Sequence, residues 1–184
     1  MKKFLAFAAV VLLAFSAKAE DLYAGGSLSF WRNSTDKQTT ISILPEIGIH
    51  LDSKWALGTT IGYTHTETGS DDNKYITNAF QIGPYARYTY FTYEKVSLFC
   101  DGGFNISTGK GRFHGESGDA MTAWSIGFKP GVAFNVNKKF GVVAHFGFLG
   151  YEGVNDGAKE AGYKEGFGLR FSGDAMSLGF YYNF

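Results

Sequence analysis

Four charged residues stand where two acids and two bases could form ion pairs. Each lies in a stretch in which small or polar residues alternate with apolar ones. Such alternation places the charged residues on the non-apolar face of a β-strand. They are Glu46, Arg87, Asp101 and Lys129. Because an unpaired charge is costly in a low-dielectric interior, we predict that these four side chains form a neutral interior charge network. The same pattern places four further polar residues nearby: Tyr85, Tyr181, His50 and His145.

Two polar stretches bring histidine close to serine and carboxylate residues, the groups that a nucleophile-and-base mechanism requires. They contain His65, Ser70 and Asp71 in one stretch, and His114, Glu116 and Ser117 in the other. Such residues in polar loops are usually only solvated, so we expect no catalytic residues, and a lipid-modifying enzyme remains an alternative. No metal-ligand spacing, phosphate-binding loop or cysteine pair stands out in the sequence, and we predict neither a metal nor a cofactor.

The first nineteen residues have the pattern of a secretory signal peptide. Lys2 and Lys3 precede an apolar run over residues 4–15, and Ala17-Lys18-Ala19 supplies the small-x-small cleavage pattern. The run is too short for a membrane-spanning helix, which needs about 20 apolar residues. We therefore predict cleavage between Ala19 and Glu20, which leaves residues 20–184 as one domain.

The composition of this domain excludes some classes of protein and favours one. Without its three N-terminal lysines the chain carries 14 basic and 17 acidic residues. This balance argues against nucleic-acid binding, which requires a basic patch. Cys100 is the only cysteine, so no internal disulfide forms. The 25 glycines and the 17% aromatic residues, with alternation throughout, are typical of a β-barrel.

Period-two alternation divides residues 20–184 into eight segments. In the last of them Met176, Leu178, Phe180, Tyr182 and Phe184 occupy one face. Long connections follow segments one, three, five and seven, and short turns follow two, four and six. Outer-membrane barrels have short periplasmic turns and longer extracellular loops. We therefore predict an all-β fold, an eight-stranded antiparallel up-and-down transmembrane β-barrel with both termini in the periplasm.

The predicted long connections include residues 66–74 and 108–120, which are polar. The segment 152–173 is harder to interpret, because Phe167, Leu169 and Phe171 alternate in the parity opposite to that of the last segment. We predict a bulge near Ser172 and Gly173 that reverses the register of an extended eighth strand.

A membrane barrel and a soluble, lipocalin-like barrel differ in which face of their strands points inward. The non-apolar face is rich in glycine, serine and threonine, not in the charged residues that water-facing strands carry. Small residues suit the narrow interior of an eight-stranded barrel, so the apolar face should meet lipid. The aromatic residues that we expect at the interface near the long loops are Phe30, Tyr63, Phe80, Phe104, Trp124 and Phe148.

Three stretches give the chain a resemblance to a known family. They are Ile82-Gly83-Pro84-Tyr85-Ala86-Arg87-Tyr88, Lys129-Pro130-Gly131-Val132-Ala133-Phe134 and the terminal Tyr181-Tyr182-Asn183-Phe184. With its leader, the chain resembles the small outer-membrane β-barrels of the OmpX and OmpA-transmembrane-domain type. The resemblance implies that Tyr182 and Phe184 belong to a C-terminal signal read by the barrel-assembly machinery. It also implies a monomer surrounded by outer-membrane lipid and lipopolysaccharide.

The leading functional hypothesis is a non-enzymatic integral outer-membrane barrel. Its extracellular loops would carry a structural, adhesion or surface-interaction role, as the resemblance implies. A narrow or gated pore is the first alternative. The lipid-modifying enzyme and the soluble binding barrel are the others.

Overall fold

The structure is a computed structural model that describes residues 21–34, 37–69, 74–113, 116–160, 162–171 and 176–184. The predicted cleavage site at Ala19 and Glu20 lies outside these residues. The described chain forms ten β-strands and one short helix. These are β1 (Leu22–Asn33), β2 (Gln38–His50), β3 (Trp55–Thr68), β4 (Tyr75–Tyr93), β5 (Val96–Phe113), β6 (Glu116–Asn135), β7 (Phe140–Phe146), β8 (Phe148–Val154), α1 (Asp156–Glu160), β9 (Gly166–Arg170) and β10 (Met176–Asn183).

The strands form an antiparallel meander that closes on itself. Each strand from β1 to β5 pairs with the next, β6 pairs with both β7 and β8, and β10 returns to pair with β1. β7 and β8 together occupy one strand position in the barrel wall, and β9 and β10 together occupy another. We call each such strand position a stave. The wall therefore has eight staves, and the predicted eight-stranded antiparallel barrel is confirmed.

Gly147 interrupts the seventh stave with a φ of +109°, a conformation that favours glycine. Before it Gly131 faces His145, and after it Phe128 faces Leu149, so β7–β8 contains one residue more than β6 opposite it. This bulge exchanges the inner and outer faces of the stave. Phe148 therefore lines the interior cavity, and our prediction that it belongs to the outer aromatic girdle is wrong.

The eighth stave changes faces as well. Phe167 and Leu169 are exposed on β9, and Leu178 and Phe180 are exposed on β10, so the outward parity reverses between the two strands. This confirms the predicted reversal of register. The predicted bulge near Ser172 and Gly173 lies outside the described residues.

The sheet continues well beyond the segments predicted as strands. Residues 108–120 were predicted as a loop, but β5 and β6 stay paired from Thr108↔Thr122 to Phe113↔Glu116. That prediction is wrong because polar alternation outside a membrane still supports backbone pairing, with both faces solvated. Helix α1, in the segment 152–173, was not predicted.

Apolar side chains cover the outside of the barrel. Leu28 is 73% exposed, Leu178 is 61% exposed and Phe128 is 57% exposed, whereas Tyr23 and Phe99 are fully buried inside. This is the distribution expected when the outer surface meets lipid instead of water. No helix in the described part of the chain is long and apolar enough to cross a membrane.

Candidate functional site

The interior network centres on the pair formed by Arg87 and Asp101. The two residues lie directly opposite each other on β4 and β5. Arg87 Nε donates to Asp101 Oδ1 at 2.7 Å, and Arg87 Nη2 donates to Oδ2 at 2.8 Å. The side chains are only 11% and 8% exposed. A forked guanidinium–carboxylate contact of this kind fixes both side chains in one orientation.

A second carboxylate, that of Glu46 on β2, extends the network toward β1. Its Oε1 lies 3.6 Å from Arg87 Nη2 and accepts a hydrogen bond from the Tyr85 hydroxyl. Tyr85 thereby uses its only hydroxyl proton, so Tyr23 must donate the 2.7 Å hydrogen bond that joins the two tyrosine oxygens. The chain of contacts runs from β1 through β4 to β2.

His145 and Phe99 complete the network on the opposite side. His145 Nε2, on β7, donates to Asp101 Oδ2 at 2.8 Å. Its ring also meets the Phe99 ring edge-on, with centroids 5.3 Å apart. The Arg87 guanidinium carbon lies 4.2 Å from the centroid of Phe99, within the range of a cation–π interaction. The network thus joins β1, β2, β4, β5 and β7 across the bore.

Lys129 is placed on the interior face but does not join the ion pairs. It stands directly opposite Asp101 on β6, yet it makes no ion pair within 4 Å among the described residues. Asp101 accepts its hydrogen bonds from Arg87 and His145 instead. Lys129 instead lines a cavity of about 160 Å³. Three of the four predicted network residues are therefore in contact, and the fourth is not.

Of the four polar residues predicted to lie near the network, some join it and others do not. Tyr85 and His145 belong to the network, whereas the Tyr181 hydroxyl bonds to Asn135. His50 lies at the end of the barrel that carries the short turns between strands, where its Nε2 is 3.3 Å from Asn183 Oδ1. His50 reaches the network only indirectly, through its ring contact with Tyr23 at 4.9 Å.

Sequence reasoning did not single out Tyr23, Phe99, Glu152 or Arg170. Alternation did place Tyr23 on the inward face, with the parity of Ser27, but its hydrogen bond to Tyr85 was not predicted. An ion pair between Glu152 and Arg170 lies across the β8–β9 ladder, near the Phe148 ring. Its location could not be inferred from alternation alone, because the faces exchange at Gly147.

The network leaves its buried polar groups satisfied. In the part of the chain that the structure describes, no buried side-chain nitrogen or oxygen lacks a hydrogen-bond partner. Satisfied networks in a low-dielectric interior rigidify the structure around them. The arrangement therefore acts as a brace across the bore.

The histidine near the long connection, His65, faces outward. Its Nδ1 lies 2.7 Å from Asn78 Oδ1 and its Nε2 lies 3.2 Å from Glu67 Oε1. The hydrogen bonds to Asn78 and then Glu67 raise the pKa of His65. Lys74 Nζ lies 2.7 Å from Glu67 Oε2 and, by its hydrogen bond, lowers the pKa of Glu67.

The two histidine-containing stretches considered for the enzyme alternative are only partly described by the structure. Ser70, Asp71 and His114 lie outside the described residues, and Glu116 and Ser117 belong to the start of β6. No group of three potential metal ligands occurs among the residues that the structure describes. The partner that His65 does have, Glu67, is itself held by Lys74.

The C-terminal residues lie at the turn end of the wall. The Tyr182 and Phe184 rings meet edge-on at 5.3 Å, and Lys139 Nζ lies 3.3 Å from the Tyr182 hydroxyl. The Phe184 backbone N–H donates to the Leu22 carbonyl at 3.1 Å. Both aromatic side chains are exposed on the outside. Their role as an assembly signal stays a prediction.

Comparison with known proteins places this architecture. No curated protein sequence matches the chain. Neisserial surface protein A is similar in structure, with a TM-score of 0.53 and 15% identity over 91% of this chain and 98% of that one. Ail, the attachment invasion locus protein of Yersinia pestis, has a TM-score of 0.44 and 16% identity over 88% of this chain and 92% of its own. A family model described as outer membrane protein beta-barrel domain matches residues 4–184. The chain therefore belongs to the outer membrane protein β-barrel family.

Proposed function

We propose that this outer-membrane barrel is a non-enzymatic surface protein that attaches the cell through the part of its wall beyond the membrane. The observation that supports this is the length of three neighbouring strands. β4, β5 and β6 contain 19, 18 and 20 residues. A membrane-spanning strand needs only about 9–11 residues. Nearly half of each strand is therefore available to project from the membrane as a paired sheet.

The tight turns and the C-terminus lie at the same end of the barrel. Turns at residues 51–54, 94–95 and 136–139 are short, and Phe184 bonds to Leu22 beside them. Short turns of outer-membrane barrels face the periplasm. We assign this end to the periplasm and the projecting sheet to the cell surface.

The projecting sheet offers side chains suited to protein or glycan contact. Tyr75 and Phe113 are exposed on one face of this sheet, and Lys110 and Arg112 are exposed on the other. Aromatic residues and arginine are enriched at binding interfaces, where large contact areas carry most of the energy. A paired sheet also presents these groups with little conformational freedom to lose on binding.

Lipopolysaccharide is the membrane partner that the outward charges favour. Alternation from the outer apolar positions places four basic side chains on the outward face, together with one carboxylate, Glu67, that is paired with Lys74. The basic residues are Arg32, His65, Lys110 and Arg112. They follow the apolar belt at Phe30, Tyr63 and Phe80, where the phosphate groups of the outer leaflet would lie. Cations at this level attract anionic lipid headgroups.

Attachment can be tested by shortening the projecting hairpin. Replacing residues 109–121 with Asn-Gly joins Thr108 to Thr122, which already face each other across the ladder. Cells that produce this variant should adhere to an epithelial monolayer and to polystyrene no better than cells without the protein. Adhesion equal to that of the unmodified barrel, at equal surface amounts, would refute the proposal.

The lipopolysaccharide contact has its own test. Replacing Lys110 and Arg112 with Gln should weaken binding of purified lipopolysaccharide to the detergent-solubilised barrel. Replacing Lys138 and Lys139 in the turn at the opposite end provides the matched control and should leave binding unchanged. Equal effects of the two pairs would show that charge alone, not position, governs the interaction.

The structure gives the pore alternative less support. Arg87, Tyr85 and Phe99 meet in the middle of the bore, so conduction would require this network to rearrange. Planar-bilayer recordings should therefore show no steady conductance, and a reproducible open level would favour the pore.

A further inference from the structure

A groove of about 360 Å³ runs along the outside of the barrel where β1 pairs with β10 and closes the wall. The outward positions of β1 along this groove are Ala24, Gly26 and Leu28. Gly26 has a φ of +142°, and a Cβ there would lie 2.8 Å from the Pro45 Cα, so this position requires glycine. β1 therefore forms a low floor between the larger side chains of its neighbours.

Apolar side chains of three other strands form the walls of the groove. On β10, Phe180 and Tyr182 stand beside the small residues of β1, and both are exposed. Phe140 on β7 stacks on Phe180, with ring centroids 6.0 Å apart. The opposite wall consists of Ile43 and Pro45 on β2. An empty groove would forfeit the dispersion contacts of this lining, so an acyl chain of the surrounding lipid is the occupant that suits it.

The groove covers the periplasmic half of the apolar band. It extends along β1 from Ala24, close to the end with the short turns, up to Leu28. Four residue steps of a strand tilted by about 40° correspond to roughly 10 Å of membrane thickness. The apolar band of such barrels is about 25 Å tall, so this distance is close to the depth of one leaflet. The chain that fits the groove therefore belongs to a lipid of the periplasmic leaflet.

A lysine stands at the periplasmic end of the groove. Lys139 Nζ donates to the Tyr182 hydroxyl at 3.3 Å and lies 5.5 Å from the centroid of the Tyr182 ring. None of the described residues accepts the proton of the Tyr182 hydroxyl itself. Lys139 makes no ion pair within 4 Å with any described carboxylate, the C-terminal one on Phe184 included. An ammonium and a hydroxyl donor side by side suit a phosphate group.

The turn before β7 holds this lysine in place. Asn137 Oδ1 accepts hydrogen bonds from the backbone N–H groups of Lys139 and Phe140, at 2.8 and 2.9 Å. The Lys139 carbonyl accepts one from the Asn183 N–H at 2.7 Å. The backbone of Lys139 is therefore fixed to β10, beside the groove.

We propose that the barrel binds one phospholipid of the periplasmic leaflet where β1 meets β10. Its phosphate lies between the Lys139 ammonium and the Tyr182 hydroxyl. One of its acyl chains lies in the groove over Ala24 and Gly26, against Phe180. The site is on the outer surface of the closed wall. It is independent of the surface-attachment role, and it concerns the leaflet opposite to that of lipopolysaccharide.

Native mass spectrometry of the full barrel, released from detergent, counts the lipid molecules that the protein retains. With dioleoylphosphatidylglycerol we expect one retained lipid per barrel at low lipid concentration. A lysine close to an anionic lipid raises affinity by about fivefold, so Lys139→Gln should weaken retention by that factor. Lys54→Gln and Lys95→Gln are the matched controls, because each is the exposed last residue of a short turn whose carbonyl is bonded to a neighbouring strand. Undiminished retention by Lys139→Gln, or equal losses in all three variants, would overturn the proposal.

The groove has a separate test. Ala24→Leu places a bulky side chain on its floor, at a lipid-facing position two turns of the pleat below Leu28, and should abolish retention. Ala86→Leu, on the outward face of β4 opposite Leu57, is the control and should retain the lipid. Faster migration of the unheated protein on a gel verifies that each variant is folded. Equal retention by the two variants would overturn the groove as the site of the chain.

The phosphate is tested with a lipid that lacks it. Dioleoylglycerol carries the same two chains without the phosphate, so the unmodified barrel should retain it more weakly than dioleoylphosphatidylglycerol. Lys139→Gln should leave its retention unchanged. Equal retention of the two lipids would overturn the role of the phosphate contact.

Discussion

Asp101 lies directly opposite Arg87 in the β4–β5 ladder and accepts two hydrogen bonds from its guanidinium, at 2.7 and 2.8 Å. The pair is the centre of a network that reaches five strands. Because sequence-adjacent staves are joined already by their backbones, the network adds contacts between staves that are not neighbours. Asp101 and His145, on β5 and β7, are one example.

Removing one partner of the central pair should strongly destabilise the barrel. Asp101→Asn leaves Arg87 buried without its main counter-charge, and breaking a buried pair in this way costs about 3–5 kcal/mol. Urea unfolding of the barrel in lipid vesicles measures this free energy. Lys74→Gln breaks the exposed pair with Glu67 and is the control, with an expected cost of about 0–1 kcal/mol. Similar costs for the two variants would show that the interior pair is not buried as described.

Glu46→Gln tests the part of the network that reaches β1. The substitution removes the charge that Arg87 approaches at 3.6 Å and changes the acceptor of the Tyr85 hydroxyl. We expect a loss of about 1–3 kcal/mol, as for a disturbed buried hydrogen bond to a charged group. Glu160→Gln, on exposed helix α1, should change stability by far less. Equal melting temperatures of the two variants would contradict the network.

His65 should titrate above its ordinary pKa. Hydrogen bonds to Asn78 and Glu67 stabilise the protonated imidazole and raise the pKa. The linked stabilisation is complete below the pKa of the unfolded chain, and it is lost as the pH rises through the folded pKa. NMR titration of the ring protons measures the shift. Asn78→Ala should lower the pKa toward its usual value, and an unchanged pKa would contradict the contact.

The C-terminal aromatic residue should affect assembly more than stability. Deleting Phe184 removes an exposed ring that contacts Tyr182 only at its edge. We expect less assembled barrel in the outer-membrane fraction, measured by immunoblot after fractionation. Phe167→Ala removes an even more exposed ring from β9 and should leave the amount unchanged. Unchanged amounts after deletion of Phe184 would count against a terminal signal.

Alternation predicted the barrel and part of its interior because membrane strands have one small, polar face and one apolar face. This rule was sufficient to place Glu46, Arg87 and Asp101 inside. It could not show that Lys129 makes no ion pair within 4 Å among the described residues, because Asp101, which faces it, accepts its hydrogen bonds from Arg87 and from His145, two strands away along the chain. Which charged residues form ion pairs therefore depends on the three-dimensional structure.

The errors at Phe148 and at residues 108–120 have different causes. At Phe148 a single glycine bulge reverses the faces, and glycine is too frequent in this chain to mark which position is bulged. Residues 108–120 are polar, so the apolar signal of a strand is absent even though the backbone stays paired. The polar residues of this segment reflect the aqueous surroundings of the strand, and they do not indicate whether its backbone is extended and paired.

The most direct test of the account is the electrophoretic mobility of the protein from fractionated membranes, with and without heating. A closed barrel braced by Arg87, Asp101 and Glu46 resists unfolding by detergent until it is heated. We predict that the unheated protein from the outer-membrane fraction runs faster than the heated one. A soluble periplasmic protein with one mobility would contradict both the barrel in the membrane and its outward apolar face.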